Sequence, residues 1–269
     1  MARLPGTLFV RNLIERRSLV FQLVRRDFEQ RFVGSAAGWL WGIINPLVQL
    51  LSWTFVFGVC LHSKPPAGGI TQSYSLYLFA GMLPWLLFQE TVVRSSNSLL
   101  EHSNLITKTV FPAEVVPISV FLSSLVNHAM ALALAIIAIA VKENHISPLL
   151  FLLPVYIVLL GLFAVGLGWI GASLQVYLRD TVQVVSVIFT FWLWMTPLFI
   201  PEDTVPPNLR FLILGNPLTY IVRGYRQMLL SYQAPDLREL GIVTACAVIT
   251  FILGGLFFRH MKRGFADVL

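Results

Sequence analysis

The chain has 269 residues, of which 57% are apolar or aromatic and only 12% are charged, and its formal net charge is +6. Soluble domains carry about a quarter of their residues as charges, and disordered chains combine low hydrophobicity with frequent charge, so the composition excludes both classes. The mean hydropathy of +0.76 indicates an integral membrane protein, in which the basic excess is expected to mark one side of the membrane and not a nucleic-acid partner.

The first segment, residues 1–37, is rich in arginine and is predicted to be cytoplasmic. It has no apolar run long enough for a signal peptide, so we expect no cleaved leader. Apolar and charged positions separate there at helical spacing: Leu19, Val20, Leu23, Val24 and Phe28 lie opposite Arg25, Arg26 and Glu29. This pattern predicts an amphipathic helix that lies along the bilayer surface or covers a partner protein.

Six predominantly apolar stretches follow, each long enough to cross a hydrocarbon core of about 30 Å: residues 38–61, 74–93, 115–141, 149–177, 182–200 and 240–258. They define a transmembrane domain over residues 38–259 and a tail at 260–269. An even number of crossings places both termini on one side. Most of the 19 basic residues lie on that side, so the positive-inside rule predicts that both termini are cytoplasmic.

The segment 208–230, before the last span, holds two short apolar pieces separated by Gly215, Asn216 and Pro217 and interrupted by Arg223 and Arg226. Each piece is too short to span, which predicts external re-entrant half-helices. Counting the segment as one crossing would give seven spans and place the C-terminal basic residues outside, against the positive-inside rule. The predicted fold is therefore all-α: six transmembrane helices, an N-terminal amphipathic interface helix and the external half-helices.

The loop from Arg94 to Pro117 is the most polar segment after the N-terminus, and it contains a predicted short amphipathic helix. The chain has no glycine-rich phosphate loop ending in Lys and Ser/Thr, so any ATP is expected on another chain. A membrane protein without its own energy source needs a surface that receives force, and this loop and the N-terminal helix are the candidates. An ordinary solvated loop is the alternative interpretation.

Few ionisable groups lie within the spans. His128 in the third span is either a functional group or a neutral histidine bonded to a neighbouring helix, and Glu90 is expected to pair with Arg94 one turn later. The spans lack the series of buried Asp, Glu or Lys residues that ion-driven carriers use, so we do not expect ion coupling. Glycines recur along the fourth span at Gly161, Gly166, Gly168 and Gly171, which indicates either flexibility or close helix packing.

Four aromatic residues are candidates for a substrate channel: Trp53, Trp85, Trp169 and Tyr177. Aromatic faces suit a pathway for sugars, but core filling is the alternative for the tryptophans and interfacial anchoring for Tyr177. The two cysteines, Cys60 and Cys246, lack a CxxC partner, so no metal or redox centre is expected. Neither a Ser, His and Asp group nor a metal-binding His-x-x-x-His spacing occurs, so we expect no catalytic residues.

An ordered set of motifs extends over nearly the whole chain and resembles the type-2 ABC exporter permeases in their polysaccharide-exporting (Wzm/KpsM-like) branch. The matching segments are Arg31 to Ser35, Gly38-Trp39-Leu40-Trp41, Asn45-Pro46-Leu47, Phe79 to Trp85, Asn104 to Lys108, Phe111-Pro112, Tyr177 to Thr181, Thr196-Pro197, Asn216-Pro217-Leu218 and Tyr225-Arg226. The ordered set is much more specific than any one of its pieces.

The resemblance implies a homodimer in the bacterial inner membrane, bound to two copies of a separate ABC ATPase that holds ATP and Mg²⁺, with no cofactor on this chain. It implies export of a lipid-linked polysaccharide through a channel between protomers. The residues that correspond to the ATPase-coupling surface are Arg25, Arg26, Arg31, Glu101, His102, Asn104, Lys108, Phe111 and Pro112. Those that correspond to the external gate are Asn216, Pro217, Arg223 and Arg226.

Three alternatives share parts of this pattern. A type-2 exporter of a small lipid or drug, or of teichoic acid, would have the same architecture, and the basic pair Arg223 and Arg226 is compatible with an anionic polymer. An ion-coupled carrier that works alone is a different class. It would transport without an ATPase.

Overall fold

The computed structural model describes residues 17–32, 35, 37–63, 71, 73–108, 111–144, 146–199, 202, 205–231 and 233–268. Within these ranges the regular structure is helical. The first helix, α1, runs from Arg17 to Phe32. Its apolar residues Val20 and Leu23 are buried against Val115 of the third span, so the amphipathic helix covers this chain's own bundle with much of its apolar face.

Among the described residues, five helices are long and apolar enough to cross a membrane. They are α2 (Trp41–Trp53, continued by a π-helical stretch Thr54–Cys60), α3 (Tyr74–Glu101), α5 (Val115–Glu143), α6 (Leu153–Tyr177) and α10 (Leu237–Met261). Single 3₁₀ segments, Gly38–Leu40 and Pro148–Leu152, precede α2 and α6. These helices coincide with five of the six predicted spans.

The predicted fifth span is shorter than expected. It forms helix α7, Thr181–Met195, of 15 residues, which is about 22 Å at 1.5 Å per residue. That length falls short of a hydrocarbon core of about 30 Å, and the chain leaves the helix at Thr196. The sixth crossing therefore stays a prediction.

The predicted start of the polar loop at Arg94 is wrong, because α3 continues to Glu101. Ser96 donates to the Val92 carbonyl at 2.9 Å, so its hydroxyl is satisfied within the helix. Ser95 and Ser96 are also fully buried against the glycines of α6. These small polar residues therefore form a tight contact between helices and are not part of a solvated loop. The connection between α3 and α5 consists of a short helix, α4 (Ser103–Lys108), and the residues on either side of it.

Helix α3 is the centre of the bundle, with Leu83, Trp85 and Phe88 almost fully buried. It packs against α5, α6 and the helix formed by Pro217–Leu230. Helices α6 and α10 cross at two glycines: a Cβ on Gly166 would lie 2.6 Å from the Thr250 carbonyl oxygen, and one on Gly254 would overlap the Gly166 carbonyl. The glycines of the fourth span are therefore explained by close packing.

The segment before the last span forms two short helices, α8 (Arg210–Leu214, after a 3₁₀ turn Pro207–Leu209) and α9 (Pro217–Leu230). We call α8 and α9 together the hairpin. Asn216 caps α9, because its side-chain oxygen accepts from the Leu218 amide at 3.1 Å, and Pro217 occupies the first turn, where no amide donor is needed. Most of α9 is buried against α3, α6 and α10. The half-helices exist as expected, and their external, re-entrant placement stays a prediction.

The chain beyond α10 folds back on the bundle as a 3₁₀ turn, Lys262–Gly264, and a last helical turn, α11, Phe265–Val268. Phe265 is buried and packs edge-on to Phe258 with ring centroids 5.5 Å apart. Lys262 Nζ lies 2.6 Å from Glu114 Oε2, just before α5. The predicted tail, residues 260–269, is therefore packed against the N-terminal end of α5 through its described residues.

Candidate functional site

An ion-pair network joins α1 to the central helix α3. Arg94 Nη2 lies 2.6 Å from Asp27 Oδ1, and Arg31 Nη1 lies 2.5 Å from Glu90 Oε1. The predicted Glu90–Arg94 pair is also present, at 3.6 Å, and Arg31 donates to Ser124 of α5 at 3.1 Å. All four ionic side chains are between 14% and 31% exposed, so water screens them less than surface pairs. We call Asp27, Arg31, Glu90 and Arg94 the ion-pair quartet.

Some residues predicted to meet a partner ATPase lie on the surface of the folded chain. The exposed ones are Arg25, Arg26, Glu101 and Asn104. Arg25 pairs with Glu29 at 2.7 Å, and Asn97 donates to Glu101 at 2.7 Å. Both contacts are local, between residues one helical turn apart, so the surface they form is open to a partner.

The other predicted coupling residues face inward. Arg31 belongs to the quartet, Pro112 is buried, and Phe111 packs on the cluster formed by α1 and α5. His102 is half-buried, with Nδ1 2.9 Å from the Ser98 carbonyl oxygen. The side chain of Lys108 lies outside the described part of the chain. A role for these residues in contacting an ATPase stays a prediction.

A cleft of about 460 Å³ with a largely apolar lining lies between α2, α3 and α5. Side-chain amides from all three helices line it: Asn45, Gln49, Gln89 and Asn127. Glu90 and Arg94 also line it, so it adjoins the quartet. We call it the amide cleft. The sequence did not reveal it, because Asn45 and Gln49 lie on α2, Gln89 on α3 and Asn127 on α5, and only folding brings the three helices together.

Two of the channel candidates lie in the protomer core. Trp85 is 1% exposed, packs against Phe189 with ring centroids 5.7 Å apart, and donates from Nε1 to Gln89 at 3.0 Å. Trp169 is fully buried and donates from Nε1 to the Glu114 carbonyl at 3.0 Å. Core filling accounts for both indoles in this conformation.

The other two channel candidates keep exposed surface. Trp53 is half-buried and lies edge-on to Phe79 with ring centroids 6.0 Å apart. Tyr177 is 38% exposed, and its hydroxyl donates to the Met261 carbonyl at 3.0 Å, which holds the end of α10 against the end of α6. A role for either in a channel stays a prediction.

Both arginines of the hairpin are occupied by protein groups. Arg223 makes a bidentate pair with Glu202, in which Nε lies 2.7 Å from Oε1, and it also pairs with Glu239 at the start of α10. The hydrogen bond with Glu202 is the main cause of the raised pKa of Arg223, opposed by partial burial. The pair connects the hairpin to the segment before it and to the last long helix.

Arg226 is buried, at 4% exposure, and its described partners are all uncharged. It donates to the carbonyls of Tyr77 at 3.1 Å, Pro197 at 2.8 Å and Leu198 at 2.9 Å, and to the Tyr77 hydroxyl at 2.9 Å. Pro197 and Leu198 follow the C-terminal end of α7, where the helix dipole favours a cation. Gly81 gives the guanidinium room, since a Cβ there would lie 2.6 Å from Nη2.

Three uncharged hydrogen bonds also hold the hairpin. His128 Nε2 lies 3.2 Å from the Tyr225 hydroxyl, so the histidine is bonded to a neighbouring helix. Asn216 accepts from Trp192 Nε1 at 3.0 Å and donates to Thr196 at 2.9 Å. The predicted gate residues are therefore integrated into the bundle in this conformation.

Comparisons with known proteins cover almost the whole chain. A family profile described as ABC-2 type transporter matches residues 18–230, from α1 to the end of α9. The chain belongs to the ABC-2 type transporter family. Because the match includes α1 and α9, the N-terminal helix and the hairpin are parts of the family's shared domain and not additions to it.

Similar proteins among the curated ABC-2 transporters are polysaccharide permeases. The chain is 28% identical over 260 residues to the O-antigen export system permease protein RfbA of Myxococcus xanthus, covering 96% of this chain and 98% of that protein. It is 27% identical over 254 residues to RfbA of Klebsiella pneumoniae, with 93% and 95% covered. The polysialic acid transport protein KpsM of Escherichia coli is 21% identical over 243 residues, with 90% and 92% covered. The resemblance predicted from the motifs is confirmed.

Charge exchange tests whether the quartet of this ABC-2 transporter chain holds α1 in place. Asp27→Arg removes the Asp27–Arg94 pair and leaves three cations around Glu90. Because a hydrogen bond to a charged group contributes about 1.5–3 kcal/mol, the population in which α1 is detached from the bundle should rise about tenfold or more. Adding Arg94→Asp restores two cations and two anions and should return α1 to its place. Chymotrypsin cleavage of α1 in membranes measures both.

The control for this experiment is Glu29→Arg, which breaks an exposed pair within α1 and should change cleavage little. Equal cleavage of the single and the double variant would show that the quartet does not hold α1.

Proposed function

We propose that this chain is the transmembrane permease subunit of an ABC exporter that moves a lipid-linked polysaccharide, of O-antigen or capsule type, across the bacterial inner membrane. The observation that carries the proposal is end-to-end similarity to O-antigen and polysialic acid permeases, over at least nine-tenths of each chain. Such coverage leaves little of the chain for a different architecture.

The proposed assembly is a homodimer with both termini cytoplasmic, bound to two copies of a separate ATPase that supplies ATP and Mg²⁺. Arg25, Arg26, Glu101 and Asn104 form its exposed coupling surface. ATP-driven closure of the partner would move α1 and α4, and the quartet would pass that motion to α3. Helix α7 would complete six crossings, and α8 and α9 would form the external gate.

The contacts of Arg223 and Arg226 bear on the charge of the cargo. Arg223 is neutralised by Glu202 and Glu239, and Arg226 is buried between α9 and the rest of the bundle. Neither guanidinium is free to attract an anionic polymer in this conformation. The hairpin therefore gives no support to the teichoic acid alternative.

Reconstitution with the partner ATPase tests the proposed function. A lipid-linked glycan should stimulate ATP hydrolysis by the complex, and hydrophobic drugs should not. The chain alone in liposomes should transport neither ions nor glycan. Stimulation by drugs alone, or transport without the ATPase, would contradict the proposal.

Glu101→Arg tests the coupling surface. The exposed carboxylate would become a cation facing the partner, and since misplacing a charge at an interface costs several kcal/mol, we expect glycan-stimulated ATP hydrolysis to fall about tenfold or more. Lys108→Glu should act in the same direction. Asp180→Arg, an exposed acid in the turn between α6 and α7, is the matched control. Normal export by Glu101→Arg and Lys108→Glu would remove this role from α4.

A further inference from the structure

The amide cleft has the size and shape of a small-ligand site. Its volume of about 460 Å³ lies within the range of about 300–1,000 Å³ typical of ligand pockets. Its walls come from the first three long helices of the chain, α2, α3 and α5. The cleft is a feature of the folded protomer and needs no second chain to form.

The chemistry of the cleft suits an uncharged, hydroxyl-rich ligand. Its amides, Asn45, Gln49, Gln89 and Asn127, carry both donors and acceptors, and Gln89 Oε1 already accepts from Trp85. This mixture matches the donor and acceptor character of sugar hydroxyls. Its charged residues Glu90 and Arg94 are paired with each other and with α1. An anion entering the cleft would find no uncompensated cation among the described lining residues.

One acceptor in the cleft lacks a partner. Asn127 Oδ1 is buried and accepts no hydrogen bond within the described part of the chain. Buried polar atoms are rarely left unpaired, and Asn127 lines the cleft, so a donor bound in the cleft would satisfy this oxygen once the side chain turns toward the cavity. A hydroxyl group supplies such a donor.

An aromatic face completes the lining. Trp41 lines the cleft and is 44% exposed. A pyranose ring presents an apolar C–H face as well as hydroxyls, so an exposed indole beside four amides offers a surface for each.

We propose that the amide cleft binds an uncharged sugar unit of the cargo, with Asn127 accepting from a sugar hydroxyl. The assignment rests on the proposed function, because a sugar reaches this cleft only if the chain handles a glycan. It places the sugar site next to the quartet that joins α1 to α3. Occupation of the cleft and the position of α1 therefore act on the same pair of residues, Glu90 and Arg94.

The test is thiol protection in the full chain with its partner ATPase in nanodiscs, without nucleotide. The reporter is Ala131→Cys, a small lining position, in a background where Cys60 and Cys246 are serine. A water-soluble maleimide should label it, and methyl glycosides of glucose, galactose, mannose or N-acetylglucosamine are the probes. At ten times the Kd of a bound sugar, labelling should slow about tenfold. Ala135→Cys, buried in the apolar core one turn away, should remain unlabelled.

Two variants show whether Asn127 makes the site. Asn127→Ala should keep labelling and lose protection, whereas Asn97→Ala, an asparagine on α3 bonded to Glu101 outside the cleft, should keep both. Absence of protection by all four glycosides, or protection by inorganic phosphate instead, would overturn the proposal. Because the assay needs no ATP hydrolysis, its failure is distinguishable from failure of glycan-stimulated ATPase activity, which would overturn the proposed function.

Discussion

Gly254→Ala is expected to displace the last long helix and to yield little folded protein. A Cβ at Gly254 would overlap the Gly166 carbonyl group, and its neighbours at that point are backbone atoms. A flexible side chain can turn away from an added methyl group, but backbone moves only when a whole helix shifts. Overpacking costs about 1–3 kcal/mol where neighbours can adjust, so this substitution should cost at least that much.

The measurement is the fraction of detergent-solubilised protein that stays monodisperse after heating. Gly241→Ala is the matched control, because it lies on the same helix and a Cβ there meets nothing within 4 Å. Alanine favours an exposed helix by about 1 kcal/mol over glycine, so this control should be neutral or slightly stabilising. Wild-type behaviour of Gly254→Ala would show that α6 and α10 do not cross at these glycines.

The sequence predicted the long helices well because each one carries its own signal. A stretch of about 20 apolar residues is readable without knowing its neighbours, and five such stretches became helices within a few residues of the expected bounds, except where α3 continued. The half-helices before α10 were also predictable, because Pro217 and a capping Asn216 mark a helix start locally.

The end of α3 was predicted wrongly because polarity was taken as a sign of exposure. Ser95 and Ser96 are polar by composition, but each is small, and their partners Gly168 and Gly171 come from a helix far along the chain. Which helix faces which is set by tertiary packing, and a single sequence holds no direct record of it. Trp85 and Trp169 could not be separated from exposed tryptophans for the same reason.

The amide cleft was missed for a related reason. The cleft amides are Asn45 and Gln49 in one span and Gln89 and Asn127 in two others, and within any one span they are a weak signal. Their function as a group depends on the relative rotation of three helices. The ion-pair quartet was half predicted, since Glu90 and Arg94 lie one turn apart on one helix, whereas Asp27 and Arg31 join them only through folding.

Arg226→Lys is expected to be strongly destabilising although it keeps the charge. The guanidinium supplies donors to the carbonyls of Tyr77, Pro197 and Leu198, and one ammonium cannot reproduce this planar arrangement. Each buried acceptor left without a donor costs about 1–3 kcal/mol, so the total loss should be several kcal/mol. Arg238→Lys, at an exposed position in the first turn of α10, is the matched control and should change stability little.

Gly81 offers a sharper test of the same site through a double-mutant cycle. Gly81→Ala would place a methyl group 2.6 Å from Arg226 Nη2 and 2.9 Å from Nε, so it should push the guanidinium away from its carbonyl partners. In the Arg226→Lys background those nitrogen atoms are gone, and the same alanine should cost much less. Interacting residues in contact show coupling energies of about 0.5–3 kcal/mol, and we expect a value in the upper half of that range. Thermal unfolding in detergent measures the cost of Gly81→Ala in each background. An equal cost in both would show that the absence of a side chain at Gly81 is not what makes room for Arg226 to join α9 to α3 and to the chain after α7.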